Sequence, residues 1–238
     1  MLFVNAHIVF LVLICFFNIF ASVVALIPQL NMNKKIKNII FDYGGILTGF
    51  NREACINAFN ALDAHSVAQY VVDKRQEDLF YDFEIGSISV HDFCEEARRI
   101  SGSKASDEAM SNAWAVLLAG VPSEKVDMLK RLSEKYSLYM LSNTNKIHWD
   151  YSQEKIFPEA GICTDSLFER VFLSYEMHML KPSEEIFRQV VKVAAIDASE
   201  TLFIDDAELN CKAAESTGLN VIHSPKGNEW LDIVNELL

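Results

Sequence analysis

Four stretches of this 238-residue chain place reactive side chains directly at the end of an apolar run or beside a proline. Asp42 closes Asn38-Ile39-Ile40-Phe41. Ser142 and Asn143 follow Leu138-Tyr139-Met140-Leu141. Lys181 stands just before Pro182, and Asp205-Asp206 close Thr201-Leu202-Phe203-Ile204. Brought together, these are three carboxylates, a hydroxyl and an ammonium. Carboxylates at close range repel one another unless a cation lies among them. An oxygen-only donor set at a site meant for phosphate points to Mg2+. The ion, Lys181 and the Ser142 hydroxyl would form a positive, donor-rich cradle for a phosphoryl group. Asp42 would attack phosphorus, giving an aspartyl-phosphate that water cleaves. One such aspartate alone reads most simply as a strand-end helix cap. The full set is too costly to bury without purpose.

The elements that must position these residues alternate along the chain. Short apolar runs at 38–41, 138–141, 171–173, 201–204 and 219–222 read as strands. Amphipathic stretches at 124–135, 146–157, 182–195, 207–217 and 228–238 read as helices. Pro182 is expected at the first position of its helix, with Glu184 and Glu185 in the first turn, and Gly218 is expected to stop the later helix over 207–217. This alternation predicts an α/β fold: a doubly wound, Rossmann-like, mostly parallel five-stranded sheet with helices on both faces. Ligands bind such sheets outside the carboxyl ends of the strands, which is where the reactive residues fall. The stretch 52–119 carries helical spacing and no convincing strand, so it reads as a helical cap inserted after the first strand. The expected domains are a core of 32–50 and 121–238 and a cap of 51–120, with hinges near Thr48 to Asn51 and Gly120 to Pro122. Closure of the cap would exclude bulk water during attack.

Phe41-Asp42-Tyr43-Gly44-Gly45-Ile46-Leu47 resembles the first motif of haloacid-dehalogenase-like hydrolases. Leu141-Ser142-Asn143-Thr144-Asn145 resembles the second, Lys181-Pro182 the third and Phe203-Ile204-Asp205-Asp206 the fourth. The likeness runs from about Ile36 to His223. It is nearest to the bacterial sugar-phosphate phosphatases of that superfamily, with a similar "FDxGG" opening and "SNTNxxH" second motif. The resemblance implies Asp42 as nucleophile and metal ligand, and the Gly44 carbonyl as a further ligand. It implies Ser142 and the Asn143 backbone holding phosphate, Lys181 stabilising charge, and Asp206 binding Mg2+ with Asp205 supporting directly or through water. The implied substrate is a small phosphorylated metabolite. One departure stands out. Most phosphatases of the superfamily carry an acid two residues after the nucleophile, and here that position is Gly44. Losing a positioned acid costs on the order of a hundredfold in rate. His148 is considered as a substitute donor, against the simpler reading that it braces the start of its helix. Halide-releasing dehalogenation, which needs no metal, and a catalytically weak binding role are the rival functions.

Trp114, Phe80, Tyr81 and Phe83 read as cap core. Arg75, Arg98 and Arg99 read as solvated faces, as does the Glu95-Glu96 pair. The formal net charge of -12 speaks against nucleic acid and anionic lipid as general partners. The scattered Cys15, Cys55, Cys94, Cys163 and Cys211 fit buried thiols in a reducing compartment. Residues 1–31 form a separate hydrophobic segment, almost wholly apolar over 8–27. Three readings of it are a signal peptide with Val23-Val24-Ala25 at its end, a membrane anchor followed by Lys34, Lys35 and Lys37, or an upstream start to a chain that begins at Met32. The third is favoured, which places the protein in the cytoplasm. Oligomeric state leaves no mark on the sequence.

Overall fold

The computed structural model of the chain describes residues 35–73 and 79–236. The apolar segment 8–27 and Arg75 lie outside the described residues. Strand β1 (Asn38–Phe41) leads into five cap helices: α1 (Arg52–Ala61), α2 (His65–Asp73), α3 (Leu79–Glu84), α4 (Val90–Ser101) and α5 (Asp107–Ala115). Then follow α6 (Ser123–Ser133), β2 (Ser137–Ser142), α7 (Lys146–Tyr151), a wide π turn at Ser152–Ile156, α8 (Phe157–Ala160), α9 (Thr164–Leu167), β3 (Arg170–Leu173), α10 (Ser174–Met177), α11 (Glu184–Ala194), β4 (Thr201–Asp205), α12 (Glu208–Ser216), β5 (Asn220–His223) and α13 (Glu229–Asn235).

The sheet is parallel throughout, in the order β3-β2-β1-β4-β5. All four residues of β1 are buried, as a central strand covered on both faces requires. Register decides what the sheet delivers. Phe41 pairs with Met140 on one side and Ile204 on the other. Asp42, Leu141-Ser142 and Asp205 therefore emerge level with one another at the carboxyl edge. This is the doubly wound sheet with an inserted helical cap that the alternation of runs predicts.

The cap helices bury their own apolar cluster, built around Phe59, Val67, Phe80, Phe83, Phe93 and Trp114. Tyr81 departs from expectation and is half-exposed. It follows Phe80 by about 100° of helical rotation, which turns it away from the Leu79-Phe80-Phe83 face. Arg98 is also more than a solvated residue. It reaches Asp107 at 2.7 Å and the Ala105 carbonyl at 3.1 Å, tying α4 to α5. Arg99 stays exposed and pairs with Glu96.

The two crossings between cap and core run side by side. Asn51 N–H donates to Leu117, Ala119 N–H donates to Gly49, and Thr48 Oγ1 donates to the Gly120 carbonyl. Pro182 does not open α11. It follows a cis peptide bond in the preceding turn, and Ser183 caps the helix by accepting from Glu185 N–H. The single helix expected over 146–157 is divided by the π turn, whose Ser152 hydroxyl donates to the His148 carbonyl at 2.7 Å. Cys55, Cys94 and Cys211 are buried free thiols and Cys163 is exposed. No helix among the described residues is long and apolar enough to cross a membrane.

Candidate active site

At the tip of β1 the Asp42 carboxylate accepts the Tyr43 N–H at 2.7 Å and lies 2.8 Å from Lys181 Nζ. The same ammonium reaches Asp205 Oδ2 at 2.7 Å. Lys181 is 4 % exposed, Asp42 7 % and Asp205 0 %, so the three charges share a space closed to bulk water. Asp205 is held further by the Ala207 N–H at 2.8 Å and by Asn210 Nδ2 at 3.0 and 3.1 Å. With so many donors on it, Asp205 is fixed and in turn fixes Lys181. Asp206, next along the chain, is half-buried. Asp42, Asp205 and Asp206 each offer an oxygen within 4.8 Å of the others.

A glycine lets the loop after β1 approach the acids closely. Gly45 adopts φ +88°, and a Cβ there would meet the Asp206 carboxylate at 2.6 Å. A Cβ on Gly44 would meet the Phe50 ring at 2.8 Å. A side chain at 44 would therefore require the tip of the Phe50 ring to shift.

Among the other residues singled out by the sequence, Ser142 is buried and its hydroxyl makes only a 3.4 Å contact with the Asn143 carbonyl. The Asn143 side chain clasps Lys181 through two 2.9 Å hydrogen bonds to its backbone N–H and C=O. His148 is not placed to give up a proton. Its ring lies stacked on Trp114 at 4.7 Å, Nε2 sits 3.0 Å from the Trp114 carbonyl, and Nδ1 sits 3.2 Å from Asn145 Nδ2. Burial pushes its pKa down to about 4. It braces the start of α7, where Asn145 Oδ1 also accepts the His148 N–H.

The electrostatics ask for more positive charge. Burial, with the nearby Asp205 charge, raises the Asp42 pKa to about 7 even though Lys181 pulls it down. Burial also raises Asp206. Burial alone would lower the Lys181 pKa, but Asp42 and Asp205 outweigh it and hold the ammonium above its ordinary range. Three carboxylates against one ammonium leave an excess of negative charge on oxygen donors. That donor set fits a hard divalent cation.

Several functional residues escaped sequence reasoning. Lys125 is buried and donates to the carbonyls of Ile46 and Gly227, pinning the loop after β1. Its signal was present: it falls on the apolar stripe with Leu129 and Leu132. Asn210 carried no such mark. Glu84, at the end of α3, lines a cavity of 190 Å³ together with Gly44, Ser142, Asn143, Arg52 and Trp114. The Trp114 indole nitrogen is buried without a hydrogen-bond partner.

A parallel sheet whose strand tips gather acids around one lysine, with helices inserted after the first strand, defines a capped, doubly wound α/β protein with a charged site at the carboxyl edge of its sheet. A model described as haloacid dehalogenase-like hydrolase matches residues 36–218, and the chain belongs to that family. It is 28% identical over 195 residues to a D-ribitol-5-phosphate phosphatase of Bacteroides thetaiotaomicron, covering 82% of this chain and 95% of the relative. It also resembles a HAD family enzyme from the same organism, solved in complex with magnesium and inorganic phosphate. That match has a TM-score of 0.78 and 37% identity, over 83% of this chain and 98% of the other. A HAD-like family hydrolase from Porphyromonas gingivalis superposes with a TM-score of 0.77 at 32% identity, over 86% and 98% of the two chains.

Proposed function

We propose that this enzyme is a magnesium-dependent phosphatase that hydrolyses a small sugar or polyol phosphate through an aspartyl-phosphate on Asp42. The observation that carries this reading is the set of three carboxylate oxygens, from Asp42, Asp205 and Asp206, gathered within 4.8 Å of one another beside a buried lysine. The relatives support the substrate class, one being a D-ribitol-5-phosphate phosphatase and another binding magnesium with phosphate.

Asp42 attacks phosphorus in line with the departing alcohol. Lys181 and the Ser142 hydroxyl, with the Asn143 backbone, hold the phosphoryl oxygens and offset their charge. Asp42, Asp206 and the Gly44 carbonyl would hold Mg2+, with Asp205 supporting them. Once bound, that ion neutralises carboxylate and phosphate so that two anions can approach. Asp205 keeps Lys181 aimed at the reacting centre, and Asn143 fixes the lysine backbone. The cap wall of the cavity limits the site to a small leaving group.

Release of p-nitrophenol from p-nitrophenyl phosphate tests the reading, followed by a panel of sugar and polyol phosphates. Turnover is expected to require Mg2+, to vanish in EDTA and to fall to background in Asp42→Asn. Activity that survived either treatment would overturn the assignment.

A further inference from the structure

A departing alcohol of high pKa needs a proton as its bond to phosphorus breaks. Most groups near the cavity cannot give one. Asp42 is engaged at phosphorus, and Lys181 is held between two carboxylates. His148 has both ring nitrogens occupied. The Tyr43 hydroxyl already donates to Ser152 at 2.8 Å, and Arg52 does not release a proton near neutral pH. Tyr70 and Glu84 remain on the cap wall.

Glu84 has the geometry. It lines the same cavity as Gly44 and Ser142. Among the described residues no charge or hydrogen bond acts on it; burial alone pushes its pKa up, to about 7. Its backbone is fastened to the phosphate loop. Ser174 Oγ donates to the Glu84 carbonyl at 2.7 Å and accepts the Thr144 N–H at 2.9 Å, two residues beyond Ser142. The next residues are seated on the core as well. The Ile85 carbonyl lies 3.0 Å from His178 Nδ1, and Gly86 sits so close to Tyr175 that a Cβ would come within 2.1 Å of its carbonyl oxygen. Phe50, meanwhile, fills the space beside Gly44.

We propose that Glu84, brought in by the cap, is the catalytic acid of this enzyme and serves in place of a residue at position 44. This rests on the phosphatase reading above. Asp42 forms a bond to phosphorus as the phosphorus–oxygen ester bond breaks, and the Glu84 carboxyl gives its proton to the leaving oxygen. Water then attacks the phosphoaspartate, the bond between Asp42 and phosphorus breaks, and the water proton returns to the Glu84 carboxylate.

The test compares kcat/KM for butyl phosphate, whose alcohol needs a proton, with p-nitrophenyl phosphate, whose phenol does not. Glu84→Gln is expected to lower kcat/KM for butyl phosphate by about a hundredfold. The loss on p-nitrophenyl phosphate should be at least tenfold smaller, and Glu84→Asp should recover part of the butyl phosphate activity. Equal losses on the two esters, no loss on butyl phosphate, or a loss that follows Tyr70→Phe instead would overturn the proposal. A loss confined to hydroxylated esters would also overturn it, by making Glu84 a hydroxyl-binding residue. Failure of the unaltered enzyme to cleave any phosphomonoester would sink the phosphatase reading itself.

Discussion

Lys181 is the residue on which the charge balance of the site turns, because among the described residues it is the sole cation in contact with two buried acids. Lys181→Met should abolish turnover. It should also destabilise the metal-free protein by about 3–5 kcal/mol, since removing one partner leaves buried charge uncompensated. The deficit follows pH. Without the lysine, Asp42 loses the charge that pulls its raised pKa down, and it binds a proton more tightly when folded than when unfolded, so stability is retained at low pH and lost as pH rises from the ordinary carboxylate range to its raised folded value. Urea unfolding at pH 5 and pH 8 measures this, and equal deficits at the two values would contradict it. At this scale the sequence was legible wherever a polar residue ended an apolar run, as with Asp42, Ser142 and Asp205. Glu84 was not legible. It sits in a short amphipathic stretch, and its role depends on where the cap comes to rest, which no local pattern encodes.

Among the elements, the end of α3 does more than close a helix. Gly86 has φ +73° and lies against the Tyr175 carbonyl, while Ser174 links Glu84 to Thr144. Gly86→Ala would need both a left-handed backbone and room that Tyr175 occupies. It should cost on the order of 1–3 kcal/mol and lower kcat/KM for alkyl phosphates. Thermal unfolding and steady-state kinetics check this, and an unperturbed variant would show that the cap does not depend on this seat. The strands were readable from their apolar runs and the cap from the lack of them. The π turn at 152–156 was hidden, because Ser152-Gln153-Glu154-Lys155-Ile156 holds no glycine or proline to mark a break in the helix. The start of α11 was misplaced because Pro182 and Ser183 are both good helix-start residues, and the serine hydroxyl provides the cap.

For the molecule as a whole, the net charge is -12, and three of its acids meet at one point. A cation that binds there binds the folded chain and not the unfolded one. It should stabilise by about 2.7 kcal/mol at a hundred times its Kd. Mg2+ should therefore raise the melting temperature of the native enzyme, and Asp206→Asn should remove most of that rise. An undiminished rise in the variant would place the ion elsewhere. The general plan, a doubly wound sheet with an inserted helical roof, could be read from the order of runs alone. The way the roof is joined to the sheet could not. It depends on paired crossings at 48–51 and 117–120 and a third attachment at Ser174, formed by residues far apart in sequence.

The ring of Phe50 constrains any redesign of this catalyst. Transplanting an aspartate into position 44 by itself would set its β-carbon against the aromatic edge at 2.8 Å. The exchange requires the tip of that ring to move aside, and making position 50 small in the same step removes the obstacle. Positions 44 and 50 are therefore best altered together when the proton donor is moved back onto the loop after β1.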